Sequence, residues 1–258
     1  MKRIKKSLPP NNLTLFSQKY PRGNWKMFRN SHKRKNYKIT KTLIFNDQGG
    51  LCAFCENLVN DVTKQQIEHF HSKKDLNPNH NWTLDWSNMI GVCPGGKDVN
   101  QNIHPLPANL SCDAYKDHLI VKNVLPIDCE DYLFNPLNLP AFPCLFDLDK
   151  RTGELKPKGN YDDVVLELEN NYNTISELVE KTIEHLNLNC DRLNQQRLAV
   201  LKQYNQEVAK ARKNGDKTVF TTLANRWFQQ KWLPFFTTRR ILLGNHAENY
   251  LLANNYDG

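Results

Sequence analysis

The chain has 258 residues, a formal net charge of +8 and 39% hydrophobic residues. This length fits one large domain or two small ones, and no apolar run approaches the ~18 residues that suggest a membrane span. The basic first residues lead into Pro-Pro-Asn-Asn rather than an apolar segment, so no secretory signal is indicated. An odd number of cysteines, seven, argues against a disulfide framework and favours the reducing cytoplasm.

The positive charge is concentrated at the N-terminus. Residues 1–46 contain 13 Lys and Arg and no acidic residue, whereas the remaining 212 residues carry 22 basic and 27 acidic ones. Composition predicts an extended basic arm or irregular lead-in over 1–36 and a short helix around 37–47, together forming the segment 1–50. The arm's cations could track nucleic-acid phosphates, with Trp25 or Tyr20 stacking on bases. Alternatively, the arm is solvated and its aromatic residues pack on the domain. The candidate phosphate contacts are Arg22, Lys26, Arg29, Lys33, Arg34, Lys35 and Lys38.

Residues 51–120 are rich in Cys, His, Asn, Pro and Gly and poor in regular periodicity, which is typical of a small fold held by metal. Two thiolates in the spacing Cys52-x-x-Cys55 can bind one tetrahedral Zn²⁺. Cys93 and Cys112 are the nearest further ligands, and His104 competes for one of these places. The remaining alternative is a reduced or redox-active pair, although no βαβ unit accompanies it. The other cysteines, Cys129, Cys144 and Cys190, lack partner spacing and are interpreted as buried free thiols.

The second half of the chain becomes increasingly helical. Residues 121–169 are punctuated by Pro and predict mixed strand and loop, with a candidate strand at 164–169. Residues 170–258 predict a helical region that begins with the capping box Thr174-x-x-Glu177. Further helices are predicted over 191–212, about 217–231 and 238–253. The pattern as a whole predicts an α+β fold.

The order of motifs carries more information than any single motif. The segments are LCAFCE (51–56), IEHFHSK (67–73), LDWSNMIGVC (84–93) and SCDAYKD (111–117). In this order they resemble the HNH endonucleases, whose site is a zinc-supported ββα-metal fold. Within that family the sequence is most similar to the PtuB-type proteins of Septu and retron anti-phage systems. The matching segments span about a quarter of the chain.

The resemblance implies a role for each matching residue. His69 would be the general base, and Asn88 would hold the loop that orients it. Glu68 would bind a catalytic Mg²⁺ or Mn²⁺. Asp113 stands where the family usually has His or Asn, and a carboxylate there suits a hard cation, with His118 as the alternative third residue. Lys116 would steady the scissile phosphate or be a solvated helix lysine.

Two further features bear on this site. Residues 94–111 form a long insertion that could loop out without disturbing the zinc geometry and could touch nucleic acid through Lys97. Other histidines, namely His32, His71 and His80, are predicted not to be ligands.

The resemblance implies a metal-dependent endonuclease in anti-phage defence, acting on DNA first with RNA kept open. Its implied partners are a PtuA-type ABC ATPase and, in a retron, a reverse transcriptase with its DNA/RNA product. Two alternatives remain open. One is a non-catalytic zinc-dependent nucleic-acid-binding module, and the other is a stand-alone restriction-like endonuclease.

Overall fold

The computed structural model describes residues 1–75, 77–159, 170–229 and 232–258. Within these ranges the helices are α1 Asn11–Lys19, α2 Trp25–Asn30, α3 Lys35–Asp47, α4 Cys112–Val121, α5 Ile175–His185, α6 Asp191–Lys213, α7 Val219–Phe228, α8 Phe236–Leu243 and α9 Asn245–Ala253. The strands are β1 Gln66–His69, β2 Met89–Val92, β3 Phe146–Leu148 and β4 Leu155–Pro157. Helices and two small sheets thus share one chain, in agreement with the α+β class.

Strands β1 and β2 form an antiparallel pair, and α4 is the next helix along the chain. The register pairs Glu68 with Ile90 and His69 with Met89. Strand β2 is buried along its whole length. Helix α3 approaches β2 so closely that a Cβ on Gly91 would lie 2.8 Å from the Phe45 ring, which explains the glycine at this position. These contacts place the end of β1 in the interior of the protein.

The N-terminal residues are folded, which corrects the predicted extended arm. Helices α1 and α2 occupy most of 11–30, and the helix predicted over 37–47 is present as α3. Phe28 is fully buried, and its ring lies 5.2 Å from that of Phe16 in an edge-on contact. The segment packs because its spaced aromatic side chains bury apolar area that composition alone assigns to a basic arm.

The insertion 94–111 lies against the helical region instead of looping out. Asn187 donates to the carbonyls of Ala108 and Leu110 at 2.9 and 2.7 Å. Arg192 donates from Nη2 to the Ser111 hydroxyl at 2.8 Å. Polar side chains of the α5–α6 turn and the start of α6 therefore hold the insertion, and Lys97 remains on its exposed surface.

The C-terminal helices follow the predicted pattern with one difference. Thr174 caps α5 by accepting from the Glu177 amide at 3.1 Å, as the capping box predicts. The helix predicted over 238–253 is two helices, since Gly244 adopts a φ of 52° between α8 and α9. The candidate strand 164–169 and the last two residues of the predicted helix 217–231 lie outside the described residues. No described helix is both long and apolar enough to cross a bilayer.

Two hydrophobic clusters divide the helical region. Helix α5 and the first half of α6 pack into the core that also contains β1, β2 and the cysteines, whereas α7, α9 and the second half of α6 form a second cluster. Glu56 links the two parts by accepting from the Thr237 amide and hydroxyl of α8 at 2.8 and 2.6 Å. The C-terminal region is therefore a support for the first core as well as a bundle of its own.

Candidate active site and metal centre

Four cysteine side chains converge into what we call the four-thiol group. Cys52 Sγ lies 3.8 Å from Cys112 Sγ, and Cys93 Sγ lies 3.8 Å from both Cys55 Sγ and Cys112 Sγ. Ligands about 2.3 Å from a tetrahedral ion are about 3.8 Å apart, so these separations are those of a thiolate metal site. Histidine is absent from this group within the described part of the chain. His104 lies instead beside Asp191, 3.6 Å from its carboxylate.

The backbone around Cys52 and Cys55 forms a tight turn that faces β2. The Cys52 amide donates to the Asn57 carbonyl at 2.9 Å, and the Ala53 amide donates to the Gly91 carbonyl at 2.9 Å. Cys112 reaches the group as the first residue of α4, with a left-handed φ of 58°. The group therefore joins the turn, β2 and α4, and the 18 residues between Cys93 and Cys112 do not disturb it.

The four-thiol group lacks a positive charge that would stabilise several thiolates side by side. Burial raises the pKa of the Cys112 thiol, and its neighbours raise it further because thiolates side by side repel. Burial also acts against the Cys52 thiolate, but hydrogen bonds from Cys112, Cys55 and Cys93 lower the pKa of Cys52 overall. Several thiolates can coexist here only with a cation among them. The chemistry of the donor set thus fits a soft metal ion.

A second group combines two carboxylates, Glu68 on β1 and Asp113 on α4, which we call the carboxylate pair. Lys116, one helical turn after Asp113, contacts Glu68 Oε1 and lies 3.3 Å from Asp113 Oδ1. All three side chains are at most 15% exposed. The spacing Cys-Asp-x-x-Lys places Asp113 and Lys116 on the same face of α4, because residues three apart are neighbours on a helix.

The charges in this second group do not balance. Burial raises the pKa of Glu68 to about 8, and Asp113 adds to the effect while Lys116 opposes it. Burial would lower the pKa of Lys116, but the two carboxylates raise it, so the ammonium stays charged. The single ammonium of Lys116 neutralises only one of the two carboxylates. Glu68 therefore keeps its proton near neutral pH. A divalent cation could take that proton's place with two oxygen ligands.

His69 occupies a dry pocket at the end of β1. Its Nε2 lies 3.0 Å from the Thr83 carbonyl oxygen, and its Nδ1 is buried without a partner among the described residues. The Trp25 ring stands edge-on to the imidazole at 4.6 Å. Burial lowers the pKa of His69 to about 4, and the positive charge of Lys73 lowers it as well. The imidazole is therefore neutral at pH 7, as a proton acceptor must be.

Asn88 holds the loop that follows β1. Its Oδ1 accepts from the His71 amide at 2.7 Å, and its Nδ2 donates to the carbonyls of His71 and Trp82, each at 3.0 Å. The Phe70 amide also donates to the Asn88 carbonyl at 3.0 Å. The asparagine thus binds the backbone beside His69, and it does not touch the imidazole itself.

The seven candidate phosphate contacts are all exposed, and we call them the N-terminal basic surface: Arg22, Lys26, Arg29, Lys33, Arg34, Lys35 and Lys38. They have no ion-pair partner among the described residues. Trp25 packs against Phe28, Tyr37 and His69, so this side chain is not available to stack on a base. The segment that carries the N-terminal basic surface therefore also supplies the ring that covers His69.

Three parts of the site escaped sequence reasoning. The sequence leaves open whether Trp25 stacks on a base or packs on the domain and does not pair it with His69, the Thr83 carbonyl has no sequence signal, and His71 is predicted not to be a ligand. The structure places His71 in the interior, 5% exposed, between carboxylates. Its place two residues after His69 is the available sequence signal.

Comparison with known proteins identifies the family. No protein-family model matches the chain. A protein of Escherichia coli, whose name assigns it as the HNH endonuclease of retron Ec83, is 38% identical over 248 residues, and the match covers 94% of each chain. The chain belongs to the HNH endonuclease family. The similarity therefore extends beyond the HNH motifs to the N-terminal and helical regions.

Helix α4 connects the four-thiol group with the carboxylate pair. Helix α4 supplies one residue of the four-thiol group and one of the carboxylate pair at adjacent positions, Cys112 and Asp113. A metal held by the thiols would therefore set the position of Asp113 relative to Glu68 on β1. The enzyme acts as a hydrolase on phosphodiester bonds.

Proposed function

We propose that this HNH endonuclease hydrolyses nucleic acid, DNA first, with a structural Zn²⁺ in the four-thiol group and a Mg²⁺ or Mn²⁺ on the carboxylate pair. One observation carries the proposal: Glu68 of β1 and Asp113 of α4 meet around Lys116, and Asp113 directly follows Cys112 of the four-thiol group in the chain. Four thiolates suit Zn²⁺, and carboxylate oxygens suit Mg²⁺ or Mn²⁺.

The carboxylate pair would hold the catalytic ion, which polarises the scissile phosphate when bound. Glu68 must lose its proton to become a ligand, so binding should release a proton and strengthen as the pH rises towards 8. Lys116 must leave the two carboxylates, and its ammonium is then free to contact a phosphate oxygen. Asp113 is favoured over His118 as the third HNH residue, since His118 packs its ring against Tyr115 at 5.9 Å.

His69 is the proposed general base. A carbonyl oxygen only accepts, so the contact with Thr83 assigns the proton to Nε2 and leaves the lone pair on Nδ1. That nitrogen can take a proton from the attacking water once the Trp25 ring moves aside, since Nδ1 is buried in this structure. Asn88 serves as a positioning residue through the backbone that it holds.

Loss of cleavage in His69→Ala tests this role. General bases contribute about 10²- to 10⁴-fold to rate, so the variant should lose cleavage by that factor. Zinc content and nucleic-acid binding should stay unchanged. His80→Ala is the control, because His80 is an exposed histidine outside the proposed site that pairs with the Asp85 carboxylate. Full cleavage activity of His69→Ala would mean that another group is the general base, and absence of cleavage in the wild type itself would favour a non-catalytic zinc fold.

The N-terminal basic surface is the proposed path of the nucleic-acid backbone. Cations without acidic partners release counterions on binding phosphates, which makes binding salt-dependent. Replacing Lys26, Arg29 and Lys33 with Gln should therefore reduce the slope of log affinity against log salt. A matched triple change at Lys202, Lys210 and Lys213 on α6 should leave the slope as it is. Equal slopes in all three proteins would exclude the N-terminal surface.

We further propose a PtuB-type role as the effector of a retron or Septu system, in the cytoplasm and under control of a PtuA-type ATPase. The name of the Escherichia coli relative supports the retron context. Neighbouring reading frames distinguish the systems: an ATPase with a reverse transcriptase indicates a retron, and an ATPase alone indicates Septu. Purification of the native protein without an ATPase would favour the stand-alone endonuclease.

A further inference from the structure

A third group of ligand atoms lies outside the four-thiol group and the carboxylate pair. It consists of His71 and three carboxylates, and we call it the His71 cluster: His71, Asp75, Asp128 and Glu130. His71 Nδ1 lies 2.8 Å from Glu130 Oε2 and 3.6 Å from Asp128 Oδ1. On the other side of the ring, Nε2 lies 2.8 Å from Asp75 Oδ2.

The imidazole in this cluster is held firmly. Its side chain is 7% exposed, its ring stacks on that of Trp82 at 3.9 Å, and Asn88 binds its backbone at both the amide and the carbonyl. The Cys129 thiol donates to the Phe70 carbonyl at 3.6 Å and so fixes the segment that carries Asp128 and Glu130. The ligand atoms are therefore brought together by tertiary contacts on both sides.

The cluster has an excess of negative charge. Even a protonated His71 offsets only one of three carboxylates, and within the described part of the chain no Lys or Arg forms an ion pair with them. Burial lowers the pKa of His71, but hydrogen bonds to Glu130 and Asp75 raise it overall. A proton thus occupies the place between imidazole and carboxylates that a cation could take.

We propose that His71, Asp128 and Glu130 form a second divalent-cation site, distinct from the nuclease ion. Asp75 accepts from Nε2–H, which leaves the Nδ1 lone pair directed towards the other two carboxylates. A carboxylate behind a ligating histidine is the usual support of such a ligand. One imidazole with two carboxylates suits Mn²⁺.

Little movement is needed to admit the ion. The ligand atoms of His71, Asp128 and Glu130 lie within 4.8 Å of one another. Ligands about 2.1 Å from an octahedral ion are about 3.0 Å apart, close to the present 2.8 Å between Nδ1 and Glu130 Oε2. Asp128 and Glu130 are 60% and 40% exposed, so the remaining coordination positions open to solvent.

The test is Mn²⁺ binding to the zinc-loaded full-length protein. Equilibrium dialysis measures how many ions bind, and pulsed electron paramagnetic resonance detects nitrogen ligands of the bound Mn²⁺. The proposed nuclease site offers only oxygen, so nitrogen coupling reports the His71 cluster alone. Glu68→Gln/Asp113→Asn should retain one Mn²⁺ with imidazole nitrogen coupling. Asp128→Asn/Glu130→Gln changes exposed side chains and should weaken the nitrogen-coupled ion at least tenfold while zinc content and Tm stay unchanged.

His80→Asn is the matched control for these variants. His80→Asn removes another histidine–carboxylate pair and should preserve the nitrogen-coupled signal. Absence of nitrogen coupling in the Glu68→Gln/Asp113→Asn protein, or its persistence in Asp128→Asn/Glu130→Gln, would overturn the proposal. The result is independent of cleavage, since a protein without nuclease activity could still show the nitrogen-coupled Mn²⁺.

Discussion

His69 and His71 are two residues apart and lie in opposite environments. His69 faces the Trp25 ring and a backbone carbonyl, and burial lowers its pKa to about 4. His71 lies among three carboxylates, which raise its pKa overall. One is thus neutral and fitted to accept a proton, whereas the other attracts positive charge. The neighbours that folding brings to each histidine, not residue type, give the two side chains these opposite environments.

Removal of the Cys112 thiol should have the largest effect, because the proposed metal in the four-thiol group would join the Cys52–Cys55 turn, the end of β2 and α4. Cys112→Ser should lose the bound metal and most of the associated folding free energy, which is about 10 kcal/mol for structural zinc sites. Metal analysis and thermal unfolding measure this. Cys144→Ser is the control, since Cys144 is equally buried and lies outside the four-thiol group. Unchanged metal content in Cys112→Ser would point to His104 or another ligand.

As the pH falls, the two histidines should change the free energy of unfolding in opposite directions. The folded pKa of His69 is about 4, below its ordinary 6.5, so the unfolded chain takes up the proton first. The contribution of His69 is therefore complete above pH 6.5 and is lost as the pH falls towards 4, by about 2 kcal/mol between pH 7 and 5. His71 acts with the reverse sign, because its raised pKa favours folding at low pH and loses effect as the pH rises.

Denaturant unfolding of wild type and His69→Gln from pH 7 to 5 isolates the first contribution. The stability difference between the two proteins should narrow on acidification, since Gln does not titrate. His80→Gln serves as the exposed control and should run parallel to wild type. A constant difference between wild type and His69→Gln would mean that burial does not depress the pKa of His69.

Exposure of His69 should have a smaller effect and act on one histidine alone. Trp25→Ala should raise the pKa of His69 from about 4 towards the ordinary 6.5, because the ring that excludes water is removed. Histidine NMR titration measures it. Trp82→Ala is the matched control, since that ring stacks on His71. If the pKa of His69 responds equally to both changes, the Trp25 ring is not what separates the two environments.

Loss of one carboxylate should have the smallest effect. Asp75→Asn should lower the pKa of His71, since one of its two short hydrogen bonds to a carboxylate is lost. The same NMR titration reports it, with Asp85→Asn beside His80 as control. A pKa of His71 that stays in place would show that Glu130 and Asp128 account for the shift without Asp75.

Local patterns in the chain predicted much of the fold. The composition of 37–47, the capping box at Thr174 and the helical pattern after it placed helices α3, α5, α6 and α7 correctly, because each depends on residues within a few turns. The cysteine spacings likewise selected the four thiols that the structure brings together. A predicted strand over 164–169 stays a prediction.

The failures concern contacts between distant residues. Composition predicted an arm over 1–36, because it cannot show that Phe28 has a buried place to fill. The sequence pattern predicted a single helix over 238–253. Gly244 divides it into α8 and α9, and both helices contribute side chains to the second cluster. His71 was interpreted as a loop histidine for the same reason: Asp128 and Glu130 lie more than fifty residues away in sequence.

The amino-acid sequence by itself determined which groups are available: four thiols, the adjacent Glu68 and His69, and a basic N-terminal segment. Motif order was sufficient because ligand spacing and residue chemistry are local properties. Tertiary structure alone decided that Trp25 covers His69, that Lys116 lies on the carboxylate pair and that His71 is surrounded by acids. Desolvation and charge pairing depend on which surfaces meet after folding, so the pKa of each group became defined only there.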